Sequence, residues 1–228
     1  MMFEDRRDAA RRLARRLGAY RRPGCVVVGL PRGGVVVADE IAQTLDLPLD
    51  VLVVRKLRAP ADPELGIGAV VAGSAPEVAL DDAAISSLGV RPEYVRDEVS
   101  SQLAEARLME ALVREGCSRA SFAGRTVLVV DDGIATGCTM AAALVATRRS
   151  RPGCVVVAVP VAAADALVRL EGLADEVVCL RTPRRLGAVG SFYRDFSGVS
   201  EGEMMALLAR ARTRVVGSGS GVRDGGTP

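Results

Sequence analysis

Short apolar runs rich in valine, at residues 25–30, 49–54, 126–131, 154–159 and 176–180, constrain the fold of this 228-residue chain more than any other feature. A run with no polar face belongs to a strand covered on both sides, the situation of a parallel sheet. Helical periodicity fills much of the intervening chain, at 35–45, 92–115, 137–149 and 163–171. Strands alternating with helices predict an α/β fold, a doubly wound parallel sheet that binds ligands at the carboxyl ends of its strands.

Residues 4–20 carry Ala10, Leu13, Ala14 and Leu17 at helical spacing, which leaves the arginines of that helix on a solvated face. From Arg55 to Gly66 the chain is charged and broken by Pro60 and Pro63, and reads as irregular. Ile67–Ala72 and Glu77–Leu80 read as an antiparallel pair around Gly73-Ser74. The expected organisation is one domain over 1–210, with an insertion at about 57–121. A flexible tail of Gly/Ser composition follows over 217–228.

Composition removes several classes of function. Thirty basic against 28 acidic residues give no field to hold nucleic acid or a membrane surface. The absence of histidine excludes Ser-His-Asp and Cys-His triads and HExxH zinc sites. Five cysteines without CxxC spacing point to a reduced, cytoplasmic protein. No uninterrupted apolar stretch approaches the ~18 residues of a membrane span. Among the basic residues Lys56 is the single lysine, so its ammonium stands out in a chain that otherwise uses arginine.

The densest chemical signal is Val127-Leu128-Val129-Val130-Asp131-Asp132-Gly133-Ile134-Ala135-Thr136-Gly137-Cys138-Thr139. A buried strand here delivers two adjacent carboxylates to the sheet edge, and a loop with two glycines and two threonines then opens a helix. The helix-start N–H groups and the hydroxyls of Thr136 and Thr139 suit a phosphate monoester. Asp131 and Asp132 suit the vicinal hydroxyls of a sugar or a hydrated Mg²⁺. The Gly-x4-Gly-Lys pattern of a Walker loop is missing.

These residues resemble the ribose-phosphate motif of the type I phosphoribosyltransferases. Leu30-Pro31-Arg32-Gly33-Gly34 is similar to that family's pyrophosphate loop, which contains a cis peptide, and Val53-Val54-Arg55-Lys56 lies where it places basic side chains before a mobile loop. The order LPRGG, VVRKL, PELxIGA, VDDGIATG and FYRDF is shared with a group of uncharacterised predicted members of that family. The resemblance spans roughly residues 20–200. It implies Mg²⁺-dependent transfer from 5-phosphoribosyl 1-diphosphate to a nitrogenous base, releasing pyrophosphate.

By the same resemblance, Gly133, Ile134, Ala135, Thr136, Gly137, Cys138 and Thr139 hold the 5-phosphate. Asp131 and Asp132 fix the ribose and Mg²⁺, the metal through water. Arg32, Gly33, Gly34, Arg55 and Lys56 neutralise the pyrophosphate, and Glu64 is the candidate general base. Ala135 replaces the acid with which 6-oxopurine enzymes meet N7. A hood over about 182–200 brings Phe192, Tyr193 and Phe196, three of seven aromatics, either to stack on a flat ring or to pack a core. The family's subunit-supported loop and a stripe of Val95, Val99, Leu103, Leu108 and Leu112 suggest a homodimer. The alternatives are a non-catalytic regulator or sensor that binds the sugar diphosphate, and a hydrolase with water as acceptor.

Overall fold

The computed structural model describes residues 2–62, 65–73, 76–115 and 118–218. Helix α1 (Arg6–Arg16) starts at Asp5, whose carboxylate accepts the Asp8 N–H at 2.7 Å. It is followed by β1 (Cys25–Gly29), α2 (Gly33–Leu45) and β2 (Leu49–Val51). An inserted unit comes next: β3 (Val54–Arg58), β4 (Gly66–Val71), β5 (Glu77–Leu80), α3 (Asp82–Ser87) and the long α4 (Pro92–Arg114). The chain then returns through β6 (Thr126–Val130), α5 (Cys138–Arg149), β7 (Cys154–Val161), α6 (Ala164–Leu170) and β8 (Glu176–Arg181), and ends in α7 (Glu201–Ser218).

The parallel sheet predicted by the valine runs is present, in the order β2-β1-β6-β7-β8. Strands β1, β6 and β7 alternate between two covered faces, whereas β8, expected to be covered on both sides, is an edge strand that is exposed to half-buried, with Val177 37% exposed. Val27, Leu128 and Val156 pack under α1 and α2, against Leu13, Leu17 and Ile41. Val26, Val28, Val127, Val129, Val155 and Val157 pack under α5 and α6, against Met140, Leu144 and Leu170. The chain leaves β1 toward one edge and returns at β6 toward the other, so a crevice opens between their carboxyl ends.

Two sequence expectations are corrected here. Residues 49–54 are not one strand. Leu49–Val51 pairs with β1, Leu52 and Val53 turn the chain, and Val54 begins a separate antiparallel sheet, β3-β4-β5. The stretch from Arg55 opens as strand, because β3 continues to Arg58, and only beyond it, over residues 59–62, is the chain irregular as expected. The inserted unit opens with β3. Its hairpin β4–β5 is antiparallel, in agreement with the sequence reading.

The small sheet is a second two-faced layer. Leu57, Ile67 and Val70 face Ala106 and Val113 of α4 and Met204, Leu207 and Leu208 of α7, while Val54, Ala69 and Val71 join the core beneath α5. The apolar stripe of α4 is spent on this packing: Val95, Val99 and Leu103 lie against the chain's own core. Leu108 (69% exposed) and Leu112 (43%) remain outward. Helix α7 extends through Ser218, into the stretch read as a tail; residues 219–228 lie outside the described residues. No described helix is long and apolar enough to cross a membrane.

Candidate active site

Between the carboxyl ends of β1 and β6 lies a cleft of about 400 Å³. Pro31, Arg32 and Gly33 line it from the β1–α2 loop, Lys56 and Val54 from the small sheet, and the whole loop from Asp131 to Gly137, with Thr139 and Met140, from β6–α5. Val189, in a short 3-10 turn at Val189–Phe192, completes the lining beside Gly133. The order of strands brings the two glycine-rich loops together, although they are about a hundred residues apart in sequence.

Both helices that leave these loops begin without a side-chain cap. Arg32 precedes α2, and Gly137, in the left-handed region at φ 83°, precedes α5. N–H groups at a helix start lack the acceptors of the helix interior and make a setting for anions, although in α2 Val35 N already donates to Arg32 O at 3.2 Å. The Pro31–Arg32 peptide is cis. Ile134 pins the β6–α5 loop to the sheet, donating its N–H to Val161 O and accepting from Ala163 N, each at 2.9 Å.

The glycines are matched to close approaches. A Cβ on Gly34 would sit 2.8 Å from Asp131 Oδ1 and from Val130 O, so the β1–α2 loop abuts the end of β6. A Cβ on Gly33 would overlap the Asp132 carboxylate, and one on Gly133 would overlap Val189.

Asp131 and Asp132 face the cleft with unequal surroundings. Asp131 accepts the Asp132 N–H at 2.8 Å. Burial, reinforced by the charge of Asp132, holds its carboxyl well above the usual carboxylate range. Burial also raises Asp132, but there Arg6 opposes the rise. Arg6 Nε donates to Asp132 Oδ2 at 2.7 Å, and Tyr193 Oη donates to the Asp132 carbonyl at 2.5 Å. Burial and the nearby Asp132 charge push the Tyr193 phenol far up, so it remains a donor.

Several expected site residues lie elsewhere. Arg55 points to the opposite side of β3 from Lys56, where its guanidinium binds Gln102 at 3.0 Å and Glu105. Cys138 is buried, with its thiol donating to Asp81 Oδ2 at 3.7 Å, and Gly34 packs behind the cleft. The three aromatics do not line the cleft. Tyr193 packs with Phe3, Phe196 lies 4.9 Å from Tyr193 between ring centres, and Phe192 joins the same cluster. Glu64 lies outside the described residues.

Arg6 was missed. The helical pattern placed it on a solvated face, yet its side chain is only 11% exposed. Its Nη1 donates to Ser197 O at 2.8 Å, and its Cζ lies 3.8 Å from the centre of the Phe196 ring.

Known proteins resemble this chain. Residues 3–189 match the family model described as phosphoribosyl transferase domain. Two curated proteins from strains of Mycobacterium tuberculosis, each named "Putative phosphoribosyl transferase", are 44% identical over 210 residues, covering 92% of this chain and 47% of theirs. The chain thus spans about half the length of these relatives. The crystal structure of TT1426 from Thermus thermophilus is 42% identical, with a TM-score of 0.75 over 92% of this chain and 99% of that one.

Proposed function

The chain belongs to the phosphoribosyl transferase domain family, and from that premise we propose that it transfers the phosphoribosyl group of 5-phosphoribosyl 1-diphosphate to a nitrogenous base. The observation that carries this reading is the cleft itself, where two uncapped helix starts, two carboxylates, Arg32 and Lys56 meet. Each suits one part of such a substrate. The α5 start, with the hydroxyls of Thr136 and Thr139, takes the 5-phosphate. Asp131 and Asp132 accept the ribose hydroxyls, and Arg32, Gly33 and Lys56 meet the diphosphate.

The donor set fits Mg²⁺. Two carboxylates without a third protein ligand suit a cation that keeps several waters and takes its other oxygens from substrate phosphates. No group of three or more metal-binding side chains exists among the described residues. Asp131, raised by burial, gains from a nearby cation. Bound there, Mg²⁺ would supply charge neutralisation for the diphosphate and its leaving group.

In the reaction the C1–O bond breaks and its electron pair leaves with pyrophosphate. The lone pair of a ring nitrogen forms the new C1–N bond, and the nitrogen's proton is released. The protein's share is orientation and electrostatic stabilisation, with donors fixed before charge develops. Ala135 lines the cleft where a 6-oxopurine enzyme would present an acid, which disfavours hypoxanthine and guanine as acceptors. The hood offers Val189 to the acceptor, not an aromatic ring.

Calorimetric titration with 5-phosphoribosyl 1-diphosphate, with and without Mg²⁺, tests the ligand, and pyrophosphate release against a panel of bases tests the chemistry. Saturable binding strengthened by Mg²⁺, with base-dependent pyrophosphate release, is expected. Binding without release under any base supports a regulator in place of an enzyme. No binding of any phosphorylated ribose overturns the reading.

A further inference from the structure

Asp132 is held at both ends by residues that do not line the cleft. Arg6 grips its carboxylate, and Tyr193 grips its carbonyl. The guanidinium of Arg6 uses its fork twice, with Nε on Asp132 and Nη1 on Ser197 O, and its Cζ sits 3.8 Å from the centre of the Phe196 ring. Its own helix is tied to the same segment. Phe3 N donates to Phe192 O at 2.8 Å, Arg194 N to Phe3 O at 2.9 Å and Asp195 N to Glu4 O at 2.9 Å. The start of α1, the 192–197 segment and the second carboxylate of the cleft therefore form one hydrogen-bonded unit.

We propose that Arg6 is a positioning residue for sugar recognition: it fixes the rotation of the Asp132 carboxylate so that the cleft distinguishes a hydroxylated sugar phosphate from a plain phosphate monoester. This rests on the sugar-phosphate reading of the cleft. A carboxylate free to rotate about its Cα–Cβ and Cβ–Cγ bonds loses orientational order when it accepts hydroxyl groups, whereas one clamped by a planar fork has already lost it. The contacts of the 5-phosphate, at the start of α5, do not involve Arg6 at all. Its removal should therefore separate the two kinds of affinity. Lysine cannot replace it, because a single ammonium cannot reproduce a planar fork that reaches Asp132 and Ser197 at once over the Phe196 ring.

The test compares ribose 5-phosphate with n-butyl phosphate, a monoester without hydroxyls, by calorimetry or displacement titration on the full chain. Wild type should prefer the sugar by ~10-fold or more, a ratio equal to ~1.4 kcal/mol. In Arg6→Ala and in Arg6→Lys the ratio should fall to within ~3-fold, with butyl phosphate affinity changed by no more than ~2-fold. If both ligands weaken together, or if the ratio is unchanged, Arg6 is a structural residue only and the proposal is overturned. If wild type shows no preference, the sugar-phosphate reading itself fails, which is a separate result. Thermal melts without ligand check folding. Should Arg6→Ala unfold, Phe196→Leu, which removes the ring beneath the guanidinium but keeps the ion pair, must still lower the ratio, and an unchanged ratio overturns the proposal.

Discussion

Arg55 and Lys56 are neighbours on β3 and face opposite ways, Lys56 into the cleft and Arg55 onto α4. The period of a strand alone separates two adjacent cations into a candidate ligand and a packing residue. Lys56→Arg should therefore keep sugar diphosphate binding and lose at least ~10-fold in turnover, ~1.4 kcal/mol of barrier, because a wide fork cannot follow the leaving group as a compact ammonium can. Arg55→Ala should leave both nearly intact and lower the melting temperature instead. Steady-state kinetics of the two variants side by side check this, and equal kinetic losses would refute it.

Asp131 carries a cost for the unliganded fold. Its carboxyl is raised above the ordinary 3.8 by burial and by Asp132, so the folded protein holds that proton more tightly than the unfolded chain does. The contribution to stability is thus highest below pH 3.8 and falls as pH rises through the raised folded value. Asp131→Asn, which cannot ionise, should melt at a higher temperature than wild type at pH 7, with the gain vanishing near pH 3. Ligand binding should be lost in the same variant. Melting curves against pH, in a chelating buffer, decide the matter; a variant less stable at neutral pH would contradict the electrostatic account.

Gly33 admits the Asp132 carboxylate where any Cβ would overlap it. The obstacle is a side-chain end, but one pinned by Arg6, so it moves only by breaking that ion pair. Gly33→Ala should cost about 1–3 kcal/mol of stability and at least ~10-fold in affinity for ribose 5-phosphate, ~1.4 kcal/mol. Chemical denaturation and calorimetry measure the two quantities, and normal affinity would show the carboxylate to be free to swing aside.

The far end of α4 is anchored by an interior ion pair. Arg114 binds buried Asp50 at 2.5 Å and Val51 O at 2.7 Å, and Asp50 also accepts the Ala120 N–H at 2.7 Å. Arg114→Ala leaves that carboxylate without its cation and should cost about 3–5 kcal/mol. The double variant with Asp50→Asn should recover part of the loss. Urea denaturation of the cycle measures the coupling, and additive losses would mean that the pair is not interacting.

Burial on both faces is written into composition, so the sheet could be read from its valines. The break after Val51 could not, because Leu52 and Val53 are as apolar as the strand before them and are equally buried in the turn. Helix α7 had a usable signal in the spacing of Met204, Leu207, Leu208 and Ala211, all buried. The loop residues of the cleft were legible because glycines, threonines and paired acids sit together in the chain. Arg6 was not, since its partner is 126 positions away and periodicity says only which way a helix faces, not what waits there.

The antiparallel insertion and the sheet edge can assemble from segments close in sequence, but the grip on Asp132 cannot. Arg6 and Ser197 are 191 residues apart, and contacts of such separation form late because the intervening chain must first be ordered. On a ribosome, the first helix would emerge long before the segment that receives it. A nascent chain that has already exposed both glycine-rich loops still lacks the backing that orients its second carboxylate. Competence to recognise a sugar would then wait until the 192–197 segment has been made and has docked beside the first helix.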